Sequence, residues 1–425
     1  MEPTRTQVVP TATEDIASKD ALYLDVFETV WSTVNERYFD PTFNGVDWDN
    51  VHDEYLPKIA AAQDDETFYY LLNEMCFELG VSHIFVIPAD YLEQMDPVLS
   101  APGSVGFDVR MVDDLIVVTD VLPGSPASEA GIQTGFIIVE IDGTPAENVD
   151  QLVTFWLPPF NERKYRAQIA SAIQSLICGE VSESVSIVYL DSEGQAQEAT
   201  LTREKRKEQP FIGEGFPTLY AGHEYKRLES GIGYLRFSGF LPQVLDGVLD
   251  VIGELYDAPG IIIDIRGNPG GFYPVRKAIA SQFFEDSVLL WNYITRTGLD
   301  MPGFETEAYT DPPDEPYLGP VVVLVDELCG SSCEEFSGAL QANQRAVIIG
   351  GRTSGSDLVA DVMILPNGAM FFYPIAQTRT ADGTVLEGHG VIPDIDVKLD
   401  RQQLLQGIDA QLQAAIDFLE EQLEE

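Results

Sequence analysis

Positive charge is what this 425-residue chain lacks most: 24 Lys and Arg stand against 70 Asp and Glu, a formal net charge of −46. So acidic a surface repels the phosphates of nucleic acid and of anionic membranes, which excludes both as main partners. Long apolar runs are also missing, and none is long enough to span a bilayer, so no membrane insertion is expected. Met1-Glu2-Pro3 does not open a signal peptide. Residues 1–20, with Pro3, Thr4, Thr6, Pro10, Thr11 and Thr13, read as a flexible tether. With a leader taken as absent from this chain, the location expected is extracellular or in the cell envelope. Cysteine is scarce, and Cys76, Cys178, Cys329 and Cys333 show no zinc-type spacing. No EF-hand loop and no HExxH helix occurs, so neither a metal nor another cofactor is expected. Cys329 and Cys333 flank Ser331 and leave two readings open, a disulfide or two buried thiols.

What is present suits a globular chain of two or three domains, with 45% apolar residues. Residues 21–98 read as helical, since Tyr23, Val26, Phe27, Val30 and Trp31, then Phe68, Leu71, Leu72 and Met75, recur at helix spacing. Across 99–207 the pattern changes to short strands and turns. From 208 to 425 strands and helices alternate, as in an α/β core. Its strand candidates are Gly231–Phe237, Ile261–Ile265, Val321–Val325 and Ala346–Ile349. Pro366-Asn367-Gly368 joins Met363–Leu365 to Met370–Tyr373 as a hairpin, and a last helix is expected over 401–424. The fold class expected is multidomain α+β.

One junction stands out for chemistry. Val321–Val325 breaks at Cys329-Gly330-Ser331-Ser332-Cys333-Glu334-Glu335 into a helical pattern from Phe336 to Leu340. A serine at a strand-to-helix turn faces the unpaired N–H groups and positive end of the helix, which can stabilise a developing oxyanion. Taken alone, Ser331 is more often an N-cap than a nucleophile. Ile261–Ile265 likewise ends in Arg266-Gly267-Asn268-Pro269-Gly270-Gly271, a turn whose glycines permit close backbone approach.

The segment Pro123-Gly124-Ser125-Pro126-Ala127, with Ala130-Gly131, Gly135 and Ile141-Asp142-Gly143, resembles a PDZ domain. That resemblance implies a groove taking a peptide as an added strand, its carboxylate held by backbone N–H groups near Gly106 and Phe107. Phe136 stands where such modules usually carry Asp, and residues 155–180 read as an inserted helix able to block the groove. Together, "DIRGNPGG", "SSCEEFSGAL" and "RAVIIGGRTSG" resemble the C-terminal processing peptidases, the tail-specific serine proteases, with a ClpP/crotonase-like α/β core. "GVDWDNVHDEYLP" in the N-terminal part fits the same family. The resemblance implies Ser331 as nucleophile, with Ser332 as a lower-ranked alternative. It also implies an oxyanion hole from the N–H of Gly270 or Gly271 and that of Ser332.

The general base departs from the family's best-known branch, which uses a lysine in the turn after the next strand. Here that place holds Ser356, in Thr353-Ser354-Gly355-Ser356-Asp357. A second branch, resembling the tricorn core peptidase, uses a Ser-His-Ser-Glu tetrad. By that likeness His83 is the base, Ser82 the relay and Glu387 the acid; a carboxylate behind a histidine fixes its tautomer and stabilises the imidazolium. His389 is the runner-up, His52 reads as part of a solvated helix face, and His223 carries no signal. The reading is a serine endopeptidase acting on unfolded or C-terminal protein segments through an acyl-enzyme. Its rival is an inactive binding protein of the same fold, for peptides or apolar small molecules.

Overall fold

Helices α1 (Ala12–Arg37), α2 (Trp48–Ala60) and α3 (Asp65–Phe77) open the computed structural model, which describes residues 12–90, 100–149, 162–213, 218–298 and 305–424. Helix α1 begins inside the stretch expected to be a tether: Ala12 to Lys19 holds neither Pro nor Gly to interrupt it. Residues 1–11, the rest of that stretch, lie outside the described residues. Asp47 and Asp64 cap α2 and α3, their carboxylates accepting the N–H of Asn50 and Thr67.

The helical part does not end as a closed unit. Strand β1 (Phe85–Ile87) pairs antiparallel with a long strand of the C-terminal half, and Phe27, Val30, Phe68 and Leu72 share a core with its Phe371 and Tyr373. Buried Asn73 on α3 binds both polar groups of Val86, at 3.0 Å to its C=O and 2.7 Å from its N–H. The turn just before β1 is thereby held between helix and sheet.

Next come β2 (Phe107–Val112), β3 (Leu115–Val121), β4 (Ile137–Ile141), α4 (Glu162–Ile177), β5 (Ser184–Leu190) and β6 (Ala196–Thr202). The strands form one sheet in the order β2-β3-β4-β5-β6. Helix α4 is the segment expected to be an insertion. Instead it walls the domain: Ile169, Ile173 and Ile177 are buried in one core with Phe107 and Val109. Its apolar face, at helical spacing, has no other place to hide.

The core follows with β7 (His223–Arg227), β8 (Gly233–Phe237), α5 (Pro242–Glu254), β9 (Ile261–Asp264), α6 (Tyr273–Ser281), β10 (Leu289–Thr295), β11 (Glu307–Tyr309), β12 (Val321–Val325), α7 (Ser332–Ala342), β13 (Val347–Gly350), β14 (Leu358–Ile364), β15 (Met370–Thr380) and β16 (Ile395–Asp396). Its main sheet runs β7-β8-β9-β12-β13-β16, parallel except at β7. Both faces of the central strands β9, β12 and β13 are covered, so these are apolar almost throughout, whereas the edge strand β7 is exposed along its length. Ile261, Ile263, Val321 and Val323 face α5, α6 and α7, while Ile262, Val322 and Leu324 face the last helix. The second sheet joins β1, β15, β10 and β11, with β14 on β15 through the expected hairpin.

The last helix is two: α8 (Arg401–Leu404) and α9 (Ala410–Glu424), parted near Gly407, whose φ is +75°. The first returns to the β domain, where Thr134 Oγ1 donates to Leu404 C=O at 2.7 Å and Arg401 Nε to Gly135 C=O at 2.8 Å.

Candidate active site

Strand β12 ends over the Leu328–Ser331 turn, and Ser331 sits immediately before α7 with φ +51° and ψ −122°. Only glycine adopts that region without strain, and holding a serine there costs about 1–3 kcal/mol. Its hydroxyl does not cap the helix, and among the described residues it makes no hydrogen bond. Its N–H donates to Ser356 C=O at 2.7 Å, which pins the turn to the 353–357 loop. Ser332 is different: it is buried, its Oγ accepts from Arg276 Nη1 and donates to Gly271 C=O, both at 2.7 Å. A hydroxyl so committed is a poor nucleophile.

Across from Ser331 lies the glycine turn after β9. A methyl on Gly270 would come within 2.8 Å of Ser331 Cβ and 3.0 Å of Ser332 N, so the two turns touch. Gly270 N–H donates to the Asn268 side chain at 2.9 Å. The N–H groups of Gly271 and Ser332 have no hydrogen-bond partner among the described residues. Asp326 ties the turns together, accepting from Gly267 N–H at 2.9 Å and Leu328 N–H at 3.1 Å, and pairs with Arg110 Nε of the β domain at 2.6 Å.

His83 occupies the turn before β1 with φ +58°, a left-handed conformation that His adopts more readily than most residues. Its Nδ1 lies 2.7 Å from Ser82 Oγ, which donates to Glu387 Oε2 at 2.7 Å; Ser82 N–H reaches Glu387 Oε1 at 2.8 Å. A hydroxyl has one proton. Since Glu387 takes that of Ser82, His83 Nδ1 must carry its own and donate it, leaving Nε2 with a free lone pair. Burial lowers the His83 pKa, opposed by the nearby Glu387 carboxylate and reinforced by the Lys164 ammonium of α4. Glu387 also accepts Asp357 N–H at 2.7 Å, so the trio abuts the loop that holds Ser331. Among the described residues no hydrogen bond joins His83 to Ser331.

Sequence reasoning missed the scaffold of that loop. Glu334, buried in the first turn of α7, accepts from Thr353 Oγ1, from Gly355 N–H at 2.7 Å and from Ser356 N–H at 2.8 Å. Burial pushes its pKa up to about 7 against these three donors, with Glu387 adding to the rise. Neighbouring Glu335 pairs with Arg276, and burial beside Glu335 and Glu334 pushes Asp357 well above the usual carboxylate range. Two adjacent acids opening an otherwise apolar helix were the available signal. Glu334→Gln leaves one acceptor oxygen for donors on both. The expected loss is about 1–3 kcal/mol of stability, read by denaturant unfolding, together with weaker activity as the Ser356 carbonyl shifts.

The other sequence candidates lie elsewhere. Gly106, at φ +83°, is packed so tightly on Ser125 that a Cβ would meet its Cβ at 2.3 Å; with Phe107 it opens β2. His52 binds Glu28 on the N-terminal helices, and exposed His389 has its ring Nδ1 3.0 Å from the Glu387 carbonyl. His223 is exposed on β7. All four cysteines are buried free thiols; Cys329 Sγ donates to Ile265 C=O at 3.0 Å, so the pair flanking Ser331 packs under the turn without a disulfide.

With this geometry in view, the likenesses to known proteins are consistent. Residues 231–397 match peptidase family S41, residues 20–77 the tricorn protease C1 domain, and residues 96–155 the PDZ domain. Residues 231–397 thus carry a peptidase family S41 domain. A carboxyl-terminal-processing protease of Synechocystis sp. is 26% identical over 398 residues, covering 92% of this chain and 85% of that protein. The photosystem II D1 C-terminal processing protease structure superposes with a TM-score of 0.57 at 22% identity, over 92% of this chain and 98% of that one. The tricorn protease structure does so with a TM-score of 0.53 at 18% identity, over 96% of this chain and 37% of that one. The chain is a serine-type peptidase, a hydrolase of protein or peptide substrates, built from a helical N-terminal region, a PDZ domain and an S41 peptidase domain.

Proposed function

We propose that the chain is an endopeptidase in which Ser331 attacks the scissile carbonyl and His83 Nε2 takes its proton. The observation that carries this reading is the Glu387–Ser82–His83 chain of hydrogen bonds, which leaves Nε2 as the ring's free acceptor. Ser82 passes the influence of the carboxylate to the imidazole, and Glu387 stabilises the imidazolium once it forms. The N–H groups of Gly271 and Ser332 receive the oxyanion, the more suitable pair because Gly270 already serves Asn268. His83 then returns the proton to the leaving amine and activates water against the acyl-enzyme. For this, Nε2 must come within about 3 Å of Ser331 Oγ when substrate is bound.

The substrates are unfolded segments or exposed C-termini, delivered by a PDZ groove that holds the terminal carboxylate near Gly106 and Phe107. The processing activity named for the Synechocystis relative supports this class. An extracellular or cell-envelope location belongs to the same reading, supported by the strongly acidic composition. Cleavage of casein, compared among the native chain, Ser331→Ala and His83→Ala, tests the assignment; activity that survives either change overturns it.

The pH profile offers a second check. His83 acts as base only when neutral, and its pKa lies below the ordinary 6.5. The acid limb of kcat/KM is therefore expected below pH 6.5. Lys164→Met removes a positive charge that opposes protonation, so the His83 pKa rises and the limb moves to higher pH. An unshifted limb would contradict His83 as the titrating base.

A further inference from the structure

The open edge of β2 is already occupied. This strand ends its sheet and pairs on one side only, with β3. Phe107 faces Val121, and the ladder bond beside that pair runs from Leu122 N–H to Gly106 C=O at 2.9 Å. In such a pair the polar groups of Phe107 itself turn outward. An added peptide strand would pair with the outward groups of alternate residues, Phe107 and Val109.

Side chains of the protein itself fill those places. Gln174 on α4 donates from Nε2 to Phe107 C=O at 2.9 Å and to Asp108 Oδ1 at 3.1 Å, while its Oε1 accepts Val109 N–H at 3.2 Å. Arg110 Nη1 donates to Val109 C=O at 2.8 Å. At the mouth of the groove Gly106 N–H donates to Ser104 Oγ at 3.1 Å. A carboxamide sets an acceptor C=O beside donor N–H groups, much as a peptide unit sets one of each, and here it satisfies two backbone groups of the edge at once. The helix that carries it is fixed close to the strand, with Ile173 and Ile177 in the domain core and the C=O of Leu176 bound by Arg203 Nη2 at 2.8 Å.

We propose that Gln174 is a self-capping residue of the PDZ groove: its carboxamide stands in for the C-terminal peptide of a substrate, which must displace it to dock. This rests on the reading of the Gly106–Phe107 groove as a peptide-carboxylate site. The ligand class is a chain end with a free carboxylate, able to pair with the outward C=O of Phe107 and N–H of Val109 that Gln174 now holds. The cap holds the Phe107 C=O and the Val109 N–H of the edge while the groove is empty, and it makes docking weak for any peptide that cannot compete with it.

The test uses the full chain carrying Ser331→Ala, with and without Gln174→Ala; alanine favours the helix, and Gln174→Ser repeats the test should alanine fail to fold. Two quantities are measured: hydrogen exchange of residues 105–112, and fluorescence anisotropy of a labelled decapeptide ending in Ala-Val-Leu with a free carboxylate, beside its amidated twin. The expected result is faster exchange at Val109 and binding of the free-carboxylate peptide tightened about tenfold to a hundredfold, the range for two exchanged neutral hydrogen bonds. Unchanged exchange overturns the cap, and if the peptide then binds both chains equally in a carboxylate-dependent manner, the groove reading stands without it. Faster exchange with no gain in binding also overturns the proposal, and a peptide bound by neither chain overturns the groove reading with it.

Discussion

Ser331→Ala is expected to lower kcat/KM for casein cleavage by about 10⁴- to 10⁶-fold, the scale on which removal of a serine nucleophile acts. Folding should survive, because the hydroxyl makes no hydrogen bond among the described residues and alanine keeps the same Cβ. Ser331→Gly should be equally inactive yet more stable than the native chain, by about 1 kcal/mol, since glycine relieves the strain of φ +51° while adding some backbone entropy to the unfolded state. Activity assays and denaturant unfolding on the same three proteins separate the two effects. An inactive, stabilised glycine variant is the signature of a residue held under strain for chemistry, whereas a destabilised one would mean the turn needs the serine for packing.

Glu387→Gln is expected to cost about 10²- to 10⁴-fold in kcat, with little change in KM, the order seen when a catalytic histidine is left in the wrong tautomer. The native carboxylate accepts from Ser82 N–H, Ser82 Oγ and Asp357 N–H. A carboxamide has one acceptor oxygen, so Ser82 loses its preferred acceptor and no longer obliges His83 Nδ1 to donate. The loss of negative charge also lowers the His83 pKa further, since Glu387 is the group that raises it. The surviving activity should therefore keep an acid limb displaced to lower pH. Ser82→Ala should be milder, about tenfold to a hundredfold. A Glu387→Gln enzyme with native kcat and an unmoved acid limb would remove the carboxylate from the account.

The elements that can be read from the sequence are those with one dominant signal. β9 and β12 are continuous apolar runs buried on both faces, and the Pro366-Asn367-Gly368 hairpin carries its own turn chemistry. Pattern fails where two segments must meet. Helix α4 reads as an insertion because its apolar face matters only against Phe107 and Val109, far away in sequence. The break near Gly407 is hidden by the good helix formers around it, and α1 extends further back than its threonine-rich start suggests. In the candidate site, Ser331 announces itself locally by its turn. Ser82 and Glu387 lie 305 positions apart, and only a family resemblance joins them before the fold does so by hydrogen bonds. Glu334 shows only as one of two adjacent acids opening a helix, and Gln174 carries no legible mark, since a strand-capping carboxamide looks like an ordinary helix residue until its partners are in place.

Covalent labelling of the nucleophile tests the central claim most directly. The native chain and His83→Ala would be treated with a fluorophosphonate, the adduct rate followed by intact mass, and the modified residue located by peptide mapping. The account predicts a single adduct on Ser331 that forms at least about 100-fold more slowly without His83. An adduct on another residue, or on Ser331 at the same rate in both proteins, would contradict it.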